Sequence, residues 1–287
     1  LELRVDLLSA DGKAPTQPQV PDYDYVARQL AALRQRSTLP IIFTVRTASQ
    51  GGMCPDEAQE AIFELMKLGV KAGCEYVDME VRWPSARMRD FVGIKQSTKI
   101  IASWHDFAGG LRWSSQEAVD RYNAAHAVGD VIKIVSKANN VTDNLDMLRF
   151  REKHDDGKPL ITLNIGNEGR LSRVLNPVFS PVSHPAISVS APGQLSFAEI
   201  QQALHLLGKL PERKFYLFGS PIQHSKSPRI HNTAFQRLGM PHHYGMIETD
   251  HVNDAIKRAI RAPDFGGASV TSTSRFLSNL DDKTGEG

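Results

Sequence analysis

Cysteine is scarce in this chain of 287 residues, with Cys54 and Cys74 as its two thiols. Two thiols cannot build a disulfide framework or a zinc cluster, and such usage suits a reducing compartment. No grouping of His, Cys and Asp along the sequence argues for a metal. Long apolar runs are missing too, none reaching the roughly eighteen residues of a membrane span. No long basic run is present and the formal net charge is +2, so nothing points to direct nucleic-acid binding. Internal repeats and low-complexity tracts are absent. The opening LELRVDLL has a strand pattern and not that of a signal peptide, so the chain is expected to begin inside a fold.

What is present is an ordinary globular composition, 41% hydrophobic and 23% charged, at a length that predicts one barrel or two domains. Strand and helix patterns alternate. Strands are read at Leu1–Leu8, Pro40–Arg46, Tyr76–Val81, Pro159–Ile165 and Pro181–Val189. Helices are read at Asp22–Ser37, from near Pro55-Asp56, and at Ser85–Gln96, Val141–His154, Gly169–Leu175 and Phe197–Leu207. Two further strands flank a helix between Lys99 and Val135. Roughly seven strands over residues 1–208 is the rhythm of a (β/α)8 TIM barrel, with the first βα unit expected upstream of Leu1. KLPERK (209–214) reads as a linker. Residues 215–287 repeat a βαβαβ pattern through Phe215–Gly219, Pro228–Leu238, Tyr244–Glu248, Val252–Ile260 and Gly267–Thr271. This second part is short for an independent α/β domain and is expected to be partial.

The stretch from Lys99 to Val135 concentrates the chemistry. KIIASWHDF ends on His105-Asp106, and GDVIKIV sets Lys133 between Ile132 and Ile134. A lone lysine in a β-branched run is costly to bury charged, and burial favours the neutral amine. A neutral amine in a dry pocket suits Schiff-base chemistry on a ketone, with a histidine nearby to move protons. The alternative is a lysine whose stem packs while its ammonium reaches the rim. Polar residues at the C-terminal ends of barrel strands line active sites. Here those ends carry Glu2, Arg4, Arg46, Glu80, His105 and Lys133.

Seven motifs stand in order: LELRVDLL, FTVRTASQGG, YVDMEV, ASWHDF, VIKIV, GRLSRVLN and APGQLS. Through them residues 1–208 resemble type I 3-dehydroquinate dehydratases, above all the form embedded in fungal multidomain shikimate-pathway proteins. The resemblance implies that Lys133 forms an imine with the substrate ketone, that His105 is the general acid/base and that Glu80 orients it. It likewise implies substrate contacts from Glu2, Arg4, Arg46, Arg173, Ser190 and Gln194, and no cofactor. The bottom-up chemistry agrees, since an iminium is a better electron sink than a ketone. Arg4, Arg46 and Arg173 suit an anionic substrate, because planar guanidinium forks grip carboxylates. Taken singly, each arginine is more often a surface or ion-pair residue.

FGSPIQHSKSPRIHNTAF makes the second part resemble the N-terminal, substrate-binding portion of shikimate dehydrogenases. That resemblance implies ligand contacts from Ser225, Ser227 and Thr271. It also exposes a break: the family continues as N-V-T-x-P-x-K, whereas this chain reads Ser269-Val270-Thr271-Ser272-Thr273-Ser274-Arg275. Arginine, with a pKa above about 12, does not trade protons near neutrality, and the nicotinamide-binding half is not in the sequence. Shikimate oxidation is therefore not expected. A dehydroquinase-like barrel joined to a degenerate dehydrogenase-like part resembles the fungal quinate repressors. That implies a regulatory protein which binds 3-dehydroquinate, dehydroshikimate or quinate and restrains a transcriptional activator protein, in the cytoplasm or nucleus. A homodimer stays open. The competing class is an active dehydratase of an AROM-type multifunctional enzyme. Lys133, His105 and Glu80 favour the enzyme; Ser269 and Arg275 favour the repressor, which is the reading the sequence leads to. Smaller departures are Lys137, a second amine expected near the pocket mouth, and Ile165, where a methionine is expected.

Overall fold

The computed structural model describes residues 1–13, 15–178, 181–184, 186 and 191–271. The chain divides into two compact units, Leu1–Pro181 with Ser190–Gln194, and Val182–Val189 with Leu195–Gly287.

In the first unit six strands pair in parallel and in chain order: β1 (Glu2–Arg4), β2 (Ile42–Thr44), β3 (Tyr76–Glu80), β4 (Lys99–His105), β5 (Val131–Lys137) and β6 (Leu160–Ile165). Helices α1 (Tyr23–Arg36), α2 (Gln59–Lys71), α3 (Ser85–Gly93), α4 (Gln116–Val128) and α5 (Asp143–Lys153) connect them, and α6 (Arg170–Leu175) follows β6. The sheet curls into a half-barrel. Two-residue alternation along each strand separates the two faces. On β5, Ile132 and Ile134 enter the main core, whereas Val135 joins a separate inner cluster with Leu163 and Ile165. Lys133 thus belongs to the concave side.

Among the described residues six strands form where seven were expected. The strand expected over Pro181–Val189 lies largely outside the described residues; within it Ser183 makes a single bridge with Ser196. Some ends differ for local reasons. The first strand stops at Arg4 because the Asp6 carboxylate takes Arg4 and the Met53 N–H, turning Val5–Leu7 into a 3-10 turn. The second helix starts at Gln59, not at Asp56, since the Asp56 carboxylate is bonded to Ser49 and Arg82 and is not free to cap. The third ends at Gly93, and Gln96 beyond it has a left-handed backbone, φ 52.

The second unit is built on β7 (Lys214–Gly219), which lies between β8 (His243–Glu248) and β9 (Phe265–Val270), all parallel. Helix α7 (Phe197–Leu206) opens with a capping box between Ser196 and Glu199. Helices α8 (Ser227–Arg237) and α9 (Asp254–Arg261) complete it. Asn232 ties α8 to β8 by bonding both the N–H and the carbonyl of Tyr244, at 2.8 and 2.9 Å. Phe218, Ile256 and Ala259 pack on one side of the sheet, and Leu217, Ile222 and Tyr244 on the other. Among the described residues no helix is long and apolar enough to cross a membrane.

Candidate active site

Strand register assembles the site. Glu80 on β3 pairs with Ser103 on β4, which pairs with Lys133 on β5. Asp78, two residues before Glu80, shares its face. Lys133 Nζ donates to Asp78 Oδ2 at 3.0 Å, and Arg46 Nη2 meets the same oxygen at 2.8 Å. Ser103 Oγ donates to Asp78 Oδ1 at 2.5 Å and accepts from Arg46 Nη1 at 2.9 Å. The Glu80 carboxylate accepts from Arg46 at 3.2 Å and from the N–H and hydroxyl of Thr47 at 2.9 and 2.7 Å. These four charged residues are 1–8% exposed. Two cations facing two carboxylates leave the cluster neutral, which is what makes burying such charge tolerable.

The protonation pattern follows from that packing. Burial works against charge on Asp78, yet Arg46 and Lys133 outweigh it and hold its carboxyl well below the usual range. Arg46 is likewise buried, and Asp78 with Glu80 keeps its guanidinium more firmly protonated than usual. For Glu80 burial prevails over Arg46 and Thr47, and its carboxyl is pushed up. His105 is forced well below its ordinary value by burial first, then by Arg46 and Lys133. It is a neutral imidazole in the resting site.

Two expectations change here. The isolated buried amine read from the sequence is an ion-paired one, with Asp78 as its partner. The expected orientation of His105 by Glu80 is not found either: Glu80 is occupied by Arg46 and Thr47, and the partner of His105 is Gln50. The Gln50 Oε1 accepts the His105 backbone N–H at 3.0 Å and lies 3.3 Å from ring Nδ1. Sequence reading missed Asp78, Gln50, Thr47 and Ser103. Asp78 had a signal in its spacing from Glu80 within YVDMEV, and Gln50 sits in the motif FTVRTASQGG.

Of the remaining residues, Glu2 accepts from Thr44 Oγ1 at 2.8 Å, and Arg4 is held by Asp6 through two bonds of 2.9 and 2.8 Å. With Arg46 and Arg4 both paired to carboxylates, Arg173 on α6 is the arginine that differs. It is 3% exposed, its one bond is Nη1 to the Pro181 carbonyl at 3.3 Å, and its Nε has no partner among the described residues. Burial alone pulls its guanidinium down to about 10. The turn carrying Gln194 is closed by its N–H to the Ala191 carbonyl at 3.1 Å and is laid on the turn after β6, where Gly166 N–H donates to Pro192. Gly193 has φ 74, and a Cβ there would come within 2.1 Å of the Gly166 oxygen, so only glycine allows that approach. Ser190 lies outside the described residues. A cavity of about 850 Å³ runs along the concave face from Lys158 and Lys99 at the N-terminal strand ends to Glu2 and Lys133. Of the charged cluster, Lys133 is the member that lines it. Lys137 lines a separate polar cavity of about 240 Å³ with Arg112 and Asp143.

In the second unit Ser225 and Ser227 follow β7 and Thr271 follows β9, so all three stand at C-terminal strand ends, where open α/β sheets bind ligands. Ser225 Oγ accepts the Ser227 N–H at 3.3 Å, and Thr271 N–H donates to the Phe218 carbonyl at 3.0 Å. Ser269 is exposed on β9; Arg275 lies outside the described residues. No group of three or more His, Cys, Asp or Glu side chains is placed to hold a metal ion among the described residues.

Comparison with known proteins matches residues 1–211 to the family model for type I 3-dehydroquinase and residues 217–274 to that for the shikimate dehydrogenase substrate binding domain. The chain is 48% identical over 291 residues to the pentafunctional AROM polypeptide of Mycosarcoma maydis, and 49% identical over 274 residues to that of Malassezia globosa. It is covered to 100% and 94% respectively and spans 17% of the length of each. Its structure resembles the dehydroquinate dehydratase and shikimate dehydrogenase of S. pombe AroM with a TM-score of 0.88 and 42% identity, over 98% of this chain and 53% of that one. The type I 3-dehydroquinate dehydratase of Clostridium difficile, covalently modified by comenic acid, aligns with a TM-score of 0.59 and 26% identity over 72% of this chain and 81% of that one. With Lys133, Asp78, Arg46 and His105 gathered on the matched half-barrel, the chain belongs to the type I 3-dehydroquinase family.

Proposed function

We propose that the first unit carries an imine-forming dehydratase site for 3-dehydroquinate or a closely related cyclic hydroxy-ketone carboxylate. The observation that carries this reading is Lys133 on the concave face, ion-paired to a buried carboxylate and one strand away from a neutral histidine. The Lys133 ammonium first gives a proton to neutral His105; the freed amine attacks the ketone, His105 returns that proton to the departing oxygen, and loss of water leaves an iminium. Ammonium and iminium bear the same charge, so Asp78 balances both and the cluster need not rearrange. The iminium acidifies the adjacent carbon, and His105, neutral at rest, is the base that takes its proton. That proton then leaves with the departing hydroxyl as water, and hydrolysis frees the lysine. Arg173, buried without a carboxylate partner among the described residues, gains its counter-ion when an anionic substrate arrives.

Borohydride reduction in the presence of 3-dehydroquinate should trap a stable mass adduct on Lys133. Lys133→Ala should abolish it and Lys137→Ala should leave it. An adduct on Lys137 alone would reassign the nucleophile, and neither adduct nor turnover would end the dehydratase reading.

A second reading is favoured by Ser269 and Arg275, which replace the asparagine and lysine of the dehydrogenase pattern. On it the chain is a sensor: binding of a quinate-pathway metabolite in the same pocket alters affinity for a transcriptional activator. Such coupling must be reciprocal and is about 1–3 kcal/mol in known cases. Titration against the pathway activator with and without metabolite tests it. Equal partner affinity with metabolite bound would remove the sensor.

A further inference from the structure

Helix α6 has six residues and no side-chain cap at its first turn. A helix this short does not hold itself in water. It also carries Arg173, a buried guanidinium with no carboxylate partner among the described residues and one bond of 3.3 Å, to the Pro181 carbonyl. Buried charge without a partner gains by swinging out to water, so the helix must be held down against that tendency. Buried polar bonds hold it. Ser172 Oγ accepts the Asn164 N–H at 2.9 Å and donates toward the Gly169 and Asn164 carbonyls at 2.7 and 3.2 Å. Asn144 Nδ2 donates to the Glu168 carbonyl, in the turn before α6, at 2.8 Å and to the Val141 carbonyl at 2.9 Å. The Trp113 indole N–H only donates, so the Asn164 atom it meets at 2.8 Å is the amide oxygen. Asn164 Nδ2 is then the donor to Asn144 Oδ1 at 3.1 Å, which leaves the Asn144 nitrogen for the two carbonyls. Each amide orientation is thus fixed by a group that cannot reverse its role. Asn144, Asn164 and Ser172 are fully buried and Trp113 nearly so.

We propose that Asn144 and Ser172 are positioning residues for Arg173: they clamp α6 to β6 and to the head of α5, so that the unpaired guanidinium stays buried and open to the negative group of a ligand. Asn164 and Trp113 set the direction of the Asn144 amide. The arginine is held through its backbone and not through its head group. A carboxylate paired with Arg173 would hold the head group as still, but it would occupy the fork that a ligand needs. Fixing the helix leaves that fork open, and an arriving anion meets a cation that needs no further ordering. The clamp also joins the C-terminal ends of three strands, since Trp113 follows β4, Asn144 opens α5 after β5, and Glu168 follows β6.

That the ligand is 3-dehydroquinate rests on the dehydratase reading above; the clamp does not. Phenylglyoxal, which adds to accessible guanidinium groups, reads the clamp without substrate when the labelled peptides are weighed. In the wild type Arg173 should label about tenfold more slowly than Arg36, which is exposed at the end of α1. Asn144→Asp keeps the acceptor for Asn164 but sets an oxygen against the Glu168 and Val141 carbonyls. That variant and Ser172→Ala should each label Arg173 about fivefold faster, the scale of one neutral hydrogen bond, with Arg36 unchanged. In turnover of 3-dehydroquinate both should raise KM about fivefold and leave kcat within about twofold. Arg173→Met should raise KM about tenfold or more, and adding either variant to it should change KM by less than about twofold, because nothing is left to position. Wild-type Arg173 labelling as fast as Arg36, unmoved labelling in both variants, or additive KM effects overturn the proposal. If Asn144→Asp does not fold, Ser172→Ala decides alone. The expected labelling with neither binding nor turnover of 3-dehydroquinate would refute the dehydratase and leave the clamp on Arg173 standing.

Discussion

The two units place similar hydrogen-bonding groups at the C-terminal ends of parallel strands and invest them differently. The first buries Arg46, Asp78, Glu80, His105, Lys133 and Arg173, all at 8% exposure or less. In the second, Thr249 is the buried polar residue among those described, while Ser225 and Ser227 are half-buried and Thr271 is exposed. Covalent chemistry requires charges whose protonation is set in advance, and that needs removal from water. Hydroxyls on an open turn can hold a ligand but cannot tune a proton. The difference teaches that buried, pre-paired charge is concentrated in the half-barrel, and the proposed chemistry with it.

The largest way to break this contrast is Arg46→Met. It leaves Asp78 with Lys133 alone and Glu80 with no cation, and loss of one buried partner costs about 3–5 kcal/mol. All three tryptophans, Trp83, Trp104 and Trp113, lie in the first unit, so urea unfolding followed by tryptophan fluorescence reports on it. Lys214→Met in the second unit removes a partly exposed pair with Asp264 at 2.8 Å and should leave the midpoint of that unit, followed by hydrogen exchange, within error. Equal effects would show that the half-barrel charges are hydrated in solution.

A smaller effect comes from acid. His105 has its folded value lowered, so below about pH 6.5 the unfolded chain takes up a proton that the native chain refuses. Stability of the first unit should then fall by up to about 1.4 kcal/mol per pH unit as pH decreases. Asp78, whose folded value is also lowered, adds to this loss only below about pH 4. His105→Asn should flatten the slope between pH 5 and 6.5. A slope identical to the wild type's would mean that His105 titrates freely.

The smallest effect sharpens the comparison from the other side. Ser225→Ala with Ser227→Ala should weaken shikimate binding to the second unit by several-fold, the scale of one or two neutral hydrogen bonds at about 0.5–1.5 kcal/mol each. The borohydride adduct on Lys133 should be unchanged. Loss of the adduct in this double variant would mean that the half-barrel site depends on the second unit.

Much of the architecture was legible because it is written locally. The alternation of Ile132, Lys133 and Ile134 places the lysine on the face opposite the core by backbone period alone. Likewise KIIASWHDF and PLITLNI lie where β4 and β6 formed. Ends were harder: Asp56 reads as a helix cap until Ser49 and Arg82 claim its carboxylate. Lys133 and His105 were legible as members of one cluster, and the residues they pair with were missed. Lys133 and Asp78 are 55 residues apart, as are His105 and Gln50. The carboxylates paired with Arg46 were missed because they come from another strand.

By itself, then, the sequence determined which residues face inward, since a strand's two-residue period is a property of its own backbone. It also set the order of strands and helices and the identity of the lysine. Tertiary structure alone decided who neutralises whom. Lateral pairing set the order β2, β3, β4, β5, and across that curved sheet Asp78 of β3 meets Arg46 from beyond β2 and Lys133 of β5, while Gln50 from beyond β2 meets His105 at the end of β4. Ion pairs and hydrogen bonds act over a few ångströms through space, and no periodicity along one chain segment records which distant segment will come to lie that close.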